Sequence, residues 1–456
     1  MTIKLMILLK STGVLLLLST NFSCAQQKKP NLILIVTDDQ GYADLESFGS
    51  NDLETPNIDG IAAAGVRFTQ WYANSPVCAP SRAALMTGLY PHNAGVPDLL
   101  APRSPGLSLN RVTLADALKK KGYQTGVFGK WHLGAAADYL PNKRGFDEFF
   151  GHLEGTLDYF SHMYYLIRAP RPFHDLWRNT EEAWEEGNYM THLITREAKQ
   201  FIRNNKEEPF FMYVAYNAPH QPLHMPKKYL DRFSHLEPQR QRIAAMLAVV
   251  DEGVGEIIAQ LKKDGLNDNT VVFFMSDNGG ANNTKNFLSN EPDQFFYGAN
   301  NGGLRGHKGS VFEGGIRVPA CMSWPGVIPP GTVVDEPGIG MDIYPTFLKI
   351  AGAEPPDYML DGHDLMPRIN ERKKTPHDVL CWEYAGQYAI RKGKWKLSLN
   401  TMLDFRREGP EVFLADLKAD REETHNLAGE YPEVVKELRT QLDTWYESVK
   451  PNLPSE

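Results

Sequence analysis

The sequence predicts an α/β fold: a large, mostly parallel sheet sandwiched by helices, followed by a small C-terminal α+β subdomain with an antiparallel sheet. Three observations predict it. Four short runs, Asn31 to Val36, Gln124 to Phe128, Phe210 to Ala215 and Thr270 to Met275, read as buried parallel strands, too short for typical helices. Helical patterning falls between them, over Ile58 to Gly65, Leu114 to Lys121, Met190 to Ile202 and from about Arg240 to Lys263. Beyond about Met366 the runs shorten (Val379 to Tyr384, Tyr388 to Arg391, Trp395 to Leu399, Glu411 to Ala415) and a helix from Pro432 to Ser448 closes the chain.

The N-terminal residues, Met1 to Lys4, an apolar stretch through Leu18 and then Ser23-Cys24-Ala25, have the layout of an export signal. Residues 1–25 are expected to be a cleaved leader, or residues 1–23 if Cys24 becomes the lipidated first residue of a lipoprotein. Either route predicts a periplasmic or outer-membrane and cell-surface location. The main α/β domain is expected over 28–366 and the subdomain over 367–456. A net charge of -8 over 456 residues argues against a nucleic-acid partner, so any positive field for an anion must be local. Of four cysteines, Cys321 and Cys381 stand in apolar, strand-like surroundings and are expected to be buried free thiols; this is no disulfide scaffold.

Each strand run delivers polar residues at its C-terminal end. Asp38 and Asp39 follow the first, Lys130 and His132 the second, His220 the third, Asp277 and Asn278 the fourth. Adjacent carboxylates repel unless a cation joins them, although a solvated acidic turn would also accommodate Asp38 and Asp39. Open parallel sheets bind ligands at the C-terminal ends of their strands, so the recurrence predicts convergence on one site. Lys130 and His132 share one side if the segment stays extended. From Gly145 to Trp184 the pattern weakens into an aromatic and basic stretch with Arg168, Arg171 and Trp177, which fits either a binding insertion or a surface excursion. The glycine-rich stretch Gly298 to Gly315 contributes Lys308.

Between the first two strand runs lies Ser75-Pro76-Val77-Cys78-Ala79-Pro80-Ser81-Arg82, leading to Gly88. Pro80 suits a first helical turn and Gly88 a stop, which puts Cys78 at a helix N-terminus. Alone, Cys78 fits a buried apolar cysteine as well as a thiol whose pKa is lowered by the helix end.

The run Cys78-x-Pro80-Ser81-Arg82 resembles the motif of type I sulfatases, in the alkaline phosphatase-like superfamily. Their cysteine is converted after translation to formylglycine (3-oxoalanine). The likeness extends to Pro30 through Asp39, Thr87-Gly-Leu-Tyr-Pro91, Gly129-Lys-Trp-His132, Asp277-Asn-Gly279, Lys308 ahead of Glu313-Gly-Gly315, and the tail Phe413 to Leu427. It implies a sulfuric ester hydrolase whose nucleophile is the formylglycine hydrate at residue 78. A geminal diol can expel sulfate by collapsing to a carbonyl, which a serine cannot.

The resemblance further implies that Asp38, Asp39, Asp277 and Asn278, with the modified Cys78, hold one calcium ion, in keeping with an all-oxygen donor set. Related phosphatases carry an Asp-His pair where this chain has Asp277-Asn278. Arg82 and Lys130 are expected to stabilise the hydrate and, with Lys308, the sulfate. His132 is expected to take the proton that triggers sulfate release, and His220 to protonate the departing alcohol. Substrate contacts are expected from Lys130, His220, Lys308, Arg168, Arg171 and Trp177, the insertion pointing to a sulfated saccharide. A formylglycine-generating maturation enzyme is the implied partner. The alternatives are a formylglycine-dependent phosphodiester or phosphonate ester hydrolase, and a non-catalytic glycan-binding lipoprotein.

Overall fold

The run Asn-Leu-Ile-Leu-Ile-Val-Thr forms the central strand Asn31–Thr37, every residue of which is buried. Its side chains serve two cores in alternation: Ile33 and Ile35 enter one apolar cluster, Leu32, Leu34 and Val36 the other. Burial on both faces is why the run shows no polar alternation. The structure, a computed structural model, describes residues 28–164, 172–282 and 298–450.

The main sheet has ten strands in the order Thr332–Val334, Val66–Phe68, Ala320–Ser323, Thr270–Ser276, Asn31–Thr37, Phe210–Ala215, Gln124–Lys130, Glu148–His152, Trp177–Arg178, Glu181–Glu182. The five central strands, Thr270–Ser276 through Glu148–His152, are parallel. Both flanks carry antiparallel pairings. Helices Pro56–Ala64, Met190–Asn204 and Pro238–Lys263 cover one face, and Cys78–Thr87, Leu114–Lys120 and Ile343–Ala351 the other.

A separate antiparallel sheet follows, Leu380–Tyr384, Gln387–Lys392, Trp395–Leu399 and Val412–Asp416 in spatial order, covered by helix Pro432–Val449 through Leu438 and Leu442. It is fastened to the main body by polar contacts as well as apolar ones. The Trp382 indole donates to the Ala73 carbonyl at 2.9 Å, and the fully buried Lys396 ammonium lies between Glu313 at 3.0 Å and Glu423 at 3.1 Å.

The stretch from Gly145 to Trp184, expected to be irregular, contains Glu148–His152 as a parallel strand of the main sheet and two more strands that extend the sheet's edge. A further pair, Met163–Tyr164 with Phe173–His174, stands apart from that sheet. Two-residue strands have no detectable period, and pairing across the chain is what holds them. Cys321 and Cys381 are free and buried. Residues 1–25, Cys24 among them, lie outside the described residues. Among the described residues no helix is long and apolar enough to cross a membrane.

Candidate active site

The register of the central strands assembles the acidic residues. Thr37 pairs with Ser276, so the residues just beyond each strand end, Asp38 with Asp39 and Asp277 with Asn278, come side by side. The Asp39 N–H donates to Asp277 Oδ1 at 3.3 Å, and Asn278 Nδ2 donates to Asp39 Oδ1 at 2.8 Å. That orientation leaves Asn278 Oδ1 buried with no hydrogen-bond partner among the described residues, and Asp38 Oδ1 is in the same condition. Orphaned buried oxygens are costly, and here they sit in one cluster with further carboxylate oxygens. Asp38, Asp39 and His220 each offer a ligand atom within 4.8 Å of the others. An oxygen-rich donor set with unfilled acceptors fits a hard divalent cation.

Cations surround these carboxylates. Lys130 Nζ lies 2.6 Å from Asp38 Oδ2, and Lys308 Nζ 2.6 Å from Asp39 Oδ1. Arg82 is fully buried one helical turn after Cys78; its Nε and NH2 reach Asp277 Oδ2 at 2.8 and 2.7 Å, while NH1 donates to the Lys130 carbonyl and the Tyr213 hydroxyl. Burial alone would push Asp38 up, yet the positive charges of Lys130, His220, Arg82 and Lys308 hold it far below the usual carboxylate range. Burial and the Asp38 charge push Asp277 up instead. Burial would depress Lys308, but the Asp39 carboxylate keeps it charged.

Cys78 opens helix Cys78–Thr87, and Gly88 ends it in the left-handed region at φ 70°. The thiol is only 2% exposed. Burial pushes its pKa up, outweighing Lys130 and Lys308, so the lowering expected of a helix N-terminus is not met. Neither is the simple alternation expected of Lys130 and His132: Gly129 and His132 both have positive φ, 113° and 53°, and these two bends in the chain bring the side chains to the site.

Both histidines are buried. The charges of Lys130 and Arg82 add to burial in holding His132 well below its ordinary value, and its Nδ1 has no partner among the described residues. His220 Nδ1 lies 2.7 Å from the Gln221 carbonyl, so the proton belongs on Nδ1 in the neutral ring and Nε2 faces Asp39 Oδ2 at 3.7 Å. Burial, with Lys308 nearby, lowers His220 to about 4.

The insertion reaches this site through a turn that the sequence reading did not single out. A Cβ on Gly155 would stand 2.7 Å from the His132 ring, and Thr156 Oγ1 donates to the Gln221 carbonyl at 3.0 Å. Tyr213 was also missed. Its signal was a hydroxyl inside an otherwise apolar strand, which has to find a partner. Trp177, expected to touch substrate, is half-buried on the sheet's edge with its indole donating to Asp175 Oδ1 at 2.8 Å. Arg168 and Arg171 lie outside the described residues.

The family model described as Sulfatase matches residues 30–353. The chain belongs to the sulfatase family. A second model, N-sulphoglucosamine sulphohydrolase, C-terminal, matches residues 306–448 of this sulfatase. Arylsulfatase J of Mus musculus is 34% identical, over 94% of this chain and 77% of that one. N-acetylgalactosamine-6-sulfatase of Homo sapiens is 35% identical, over 80% and 71%. Among solved structures, Ps i-CgsB in complex with k-i-k-neocarrahexaose superposes with a TM-score of 0.81 at 36% identity, covering 92% of this sulfatase and 93% of that chain. The expected alkaline phosphatase-like sulfatase fold is the one observed, and the chain is a sulfatase enzyme.

Proposed function

We propose that this sulfatase removes sulfate from a sulfated saccharide, using calcium and a formylglycine made from Cys78, after export from the cytoplasm. The observation that carries the reading is Arg82: one helical turn after Cys78, it ties the cysteine's helix to Asp277 and so joins nucleophile and cation site in one rigid unit. Support for a saccharide comes from the relatives, one named for N-acetylgalactosamine 6-sulfate and one crystallised with neocarrahexaose. The leader-like residues 1–25 support export, by cleavage or by lipidation at Cys24.

As the formylglycine hydrate, residue 78 supplies an oxygen nucleophile for sulfur. Asp38, Asp39, Asp277 and Asn278 would hold the calcium ion, which would supply charge neutralisation for the sulfate. The chain's own residues do the rest. Lys130, at the end of its strand, and Lys308, in a loop, direct their ammonium groups into the acidic cluster, where the anionic oxygens of a sulfate ester would meet two positive charges away from bulk water. His132, kept neutral by burial and neighbouring cations, can accept a proton near residue 78. His220 has Nδ1 committed to the Gln221 carbonyl, which leaves Nε2 toward the acidic cluster. To protonate the departing alcohol it must first take a second proton on Nε2, which the negative charge of a bound sulfate would favour against burial and Lys308.

Three measurements on active protein test this reading. Peptide mass spectrometry should find an aldehyde at residue 78, metal analysis should find calcium with activity lost on chelation, and a panel including N-acetylgalactosamine 6-sulfate and carrageenan oligosaccharides should contain a substrate. Full activity with an unmodified thiol, stoichiometric zinc without calcium, or faster turnover of phosphonate esters than of any sulfate would each overturn it.

A further inference from the structure

Phe405 sits in the connection between strands Trp395–Leu399 and Val412–Asp416 and is 44% exposed, an apolar ring left in water at a defined place. The connection is built, and it is attached to the active site. Asp404, only 2% exposed, accepts from Asn282 Nδ2 at 2.8 Å, from the N–H groups of Arg406 and Arg407 at 2.8 and 3.0 Å, and from Arg407 Nε at 2.6 Å. The His307 N–H donates to the Leu403 carbonyl at 3.0 Å, and Ser310 Oγ donates to that of Met402. These anchors bracket Lys308.

The ring rests on the next residue. A Cβ on Gly309 would lie 2.9 Å from Phe405 Cε1, and Gly309 is in the left-handed region at φ 86°, so a residue without a side chain lets the ring lie against the backbone. The Gly309 N–H donates at 2.9 Å to the carbonyl of Pro76, two residues before Cys78. Phe405 therefore borders the segment that joins the ammonium of the clamp to the nucleophile's helix, with much of its surface turned outward.

We propose that Phe405 is a specificity-determining residue, the platform on which a sugar ring of the substrate stacks while its sulfate lies between Lys308 and residue 78. The proposal rests on the saccharide reading above. The C–H face of a pyranose is apolar and flat enough to cover an aromatic ring, and the chain holds this exposed ring against Gly309, the residue after Lys308. The C-terminal sheet thereby contributes to choice of substrate, although sulfur chemistry belongs to the main sheet.

The test uses matured, calcium-loaded enzyme and two substrates: the panel saccharide that the wild type desulfates fastest, and 4-nitrophenyl sulfate. For Phe405→Ala, the ratio of kcat/KM on the saccharide to that on the aryl sulfate should fall about tenfold, mainly through KM. Phe405→Tyr keeps the flat face and should hold the ratio near the wild-type value. Phe405→Leu keeps the apolar contact with Gly309 without a flat face and should repeat the alanine result even if the alanine variant folds poorly. Equal losses on both substrates, no loss on either, or a tyrosine variant as poor as leucine would refute the platform alone. A wild type that cleaves aryl sulfate but none of the saccharides would overturn the substrate assignment and the platform with it.

Discussion

Arg82 shows how much a single side chain settles. Fully buried, it places donors on Asp277, the Lys130 carbonyl and the Tyr213 hydroxyl, linking three strands to the helix that Cys78 begins. On the proposed mechanism the two histidines serve different half-reactions, which predicts different mutant behaviour. A sugar alkoxide needs a proton to leave and a nitrophenolate does not. His220→Ala should therefore slow saccharide desulfation by about a hundred- to ten-thousand-fold while costing aryl sulfate cleavage much less. His132→Ala should slow both substrates alike, which steady-state kinetics on the pair will decide. A second residue-level prediction concerns stability. Burial, with Glu154 beside it, pushes Asp175 up to about 7 from an ordinary 3.8. A carboxyl raised in the folded state is best tolerated neutral, so its contribution is most favourable below pH 3.8 and is lost as pH rises toward 7. Denaturant melts across that window should show Asp175→Asn gaining on the wild type by a few kcal/mol as pH rises, a difference that separates this carboxyl from the lowered histidines, whose contributions grow over the same range.

At the scale of elements, the strand that delivers Lys130 depends on two glycines. Gly129 and Gly151 are paired across parallel strands; a Cβ on Gly129 would stand 2.0 Å from the Ala215 carbonyl oxygen, and one on Gly151 would stand 1.8 Å from the Gly129 carbonyl oxygen. Gly129→Ala should destabilise the protein by roughly 3 kcal/mol or more and displace Lys130, with thermal unfolding and activity falling together. The same elements show what could be read in advance. The strands from Asn31, Phe210 and Thr270 were legible because burial on both faces makes them continuous apolar runs, and the site was legible because its residues stand just behind such runs. Tyr213 and the turn Glu154–Thr156 were not, since their roles arise from contacts with segments far away in the chain. The lowered thiol pKa failed for a related reason: local sequence showed the helix end but not the depth at which the fold buries it.

For the molecule as a whole, the two sheets are joined by charge in a dry place. Lys396 of the C-terminal sheet is fully buried between Glu313 and Glu423, and Glu313 also receives Arg317 and the Tyr72 hydroxyl. Removing the ammonium takes the cation from Glu423 Oε1 in the interior and leaves Glu313 to Arg317 and Tyr72. Lys396→Met should cost about 3–5 kcal/mol of unfolding free energy, in a single transition seen alike by tryptophan fluorescence and far-UV circular dichroism; separate transitions for the two sheets would contradict this joint. The burial of helix Cys78–Thr87 has a different consequence, one of timing. Pro80, Ser81 and Arg82 are walled in along with Cys78. A substrate needs to reach only the tip of residue 78 through the cleft, whereas an enzyme that recognises the Cys-x-Pro-Ser-Arg run must handle its backbone and side chains. That access exists only while the chain is still unfolded. On the reading proposed for Cys78, conversion and folding would therefore compete, and a copy that folded first would keep its thiol.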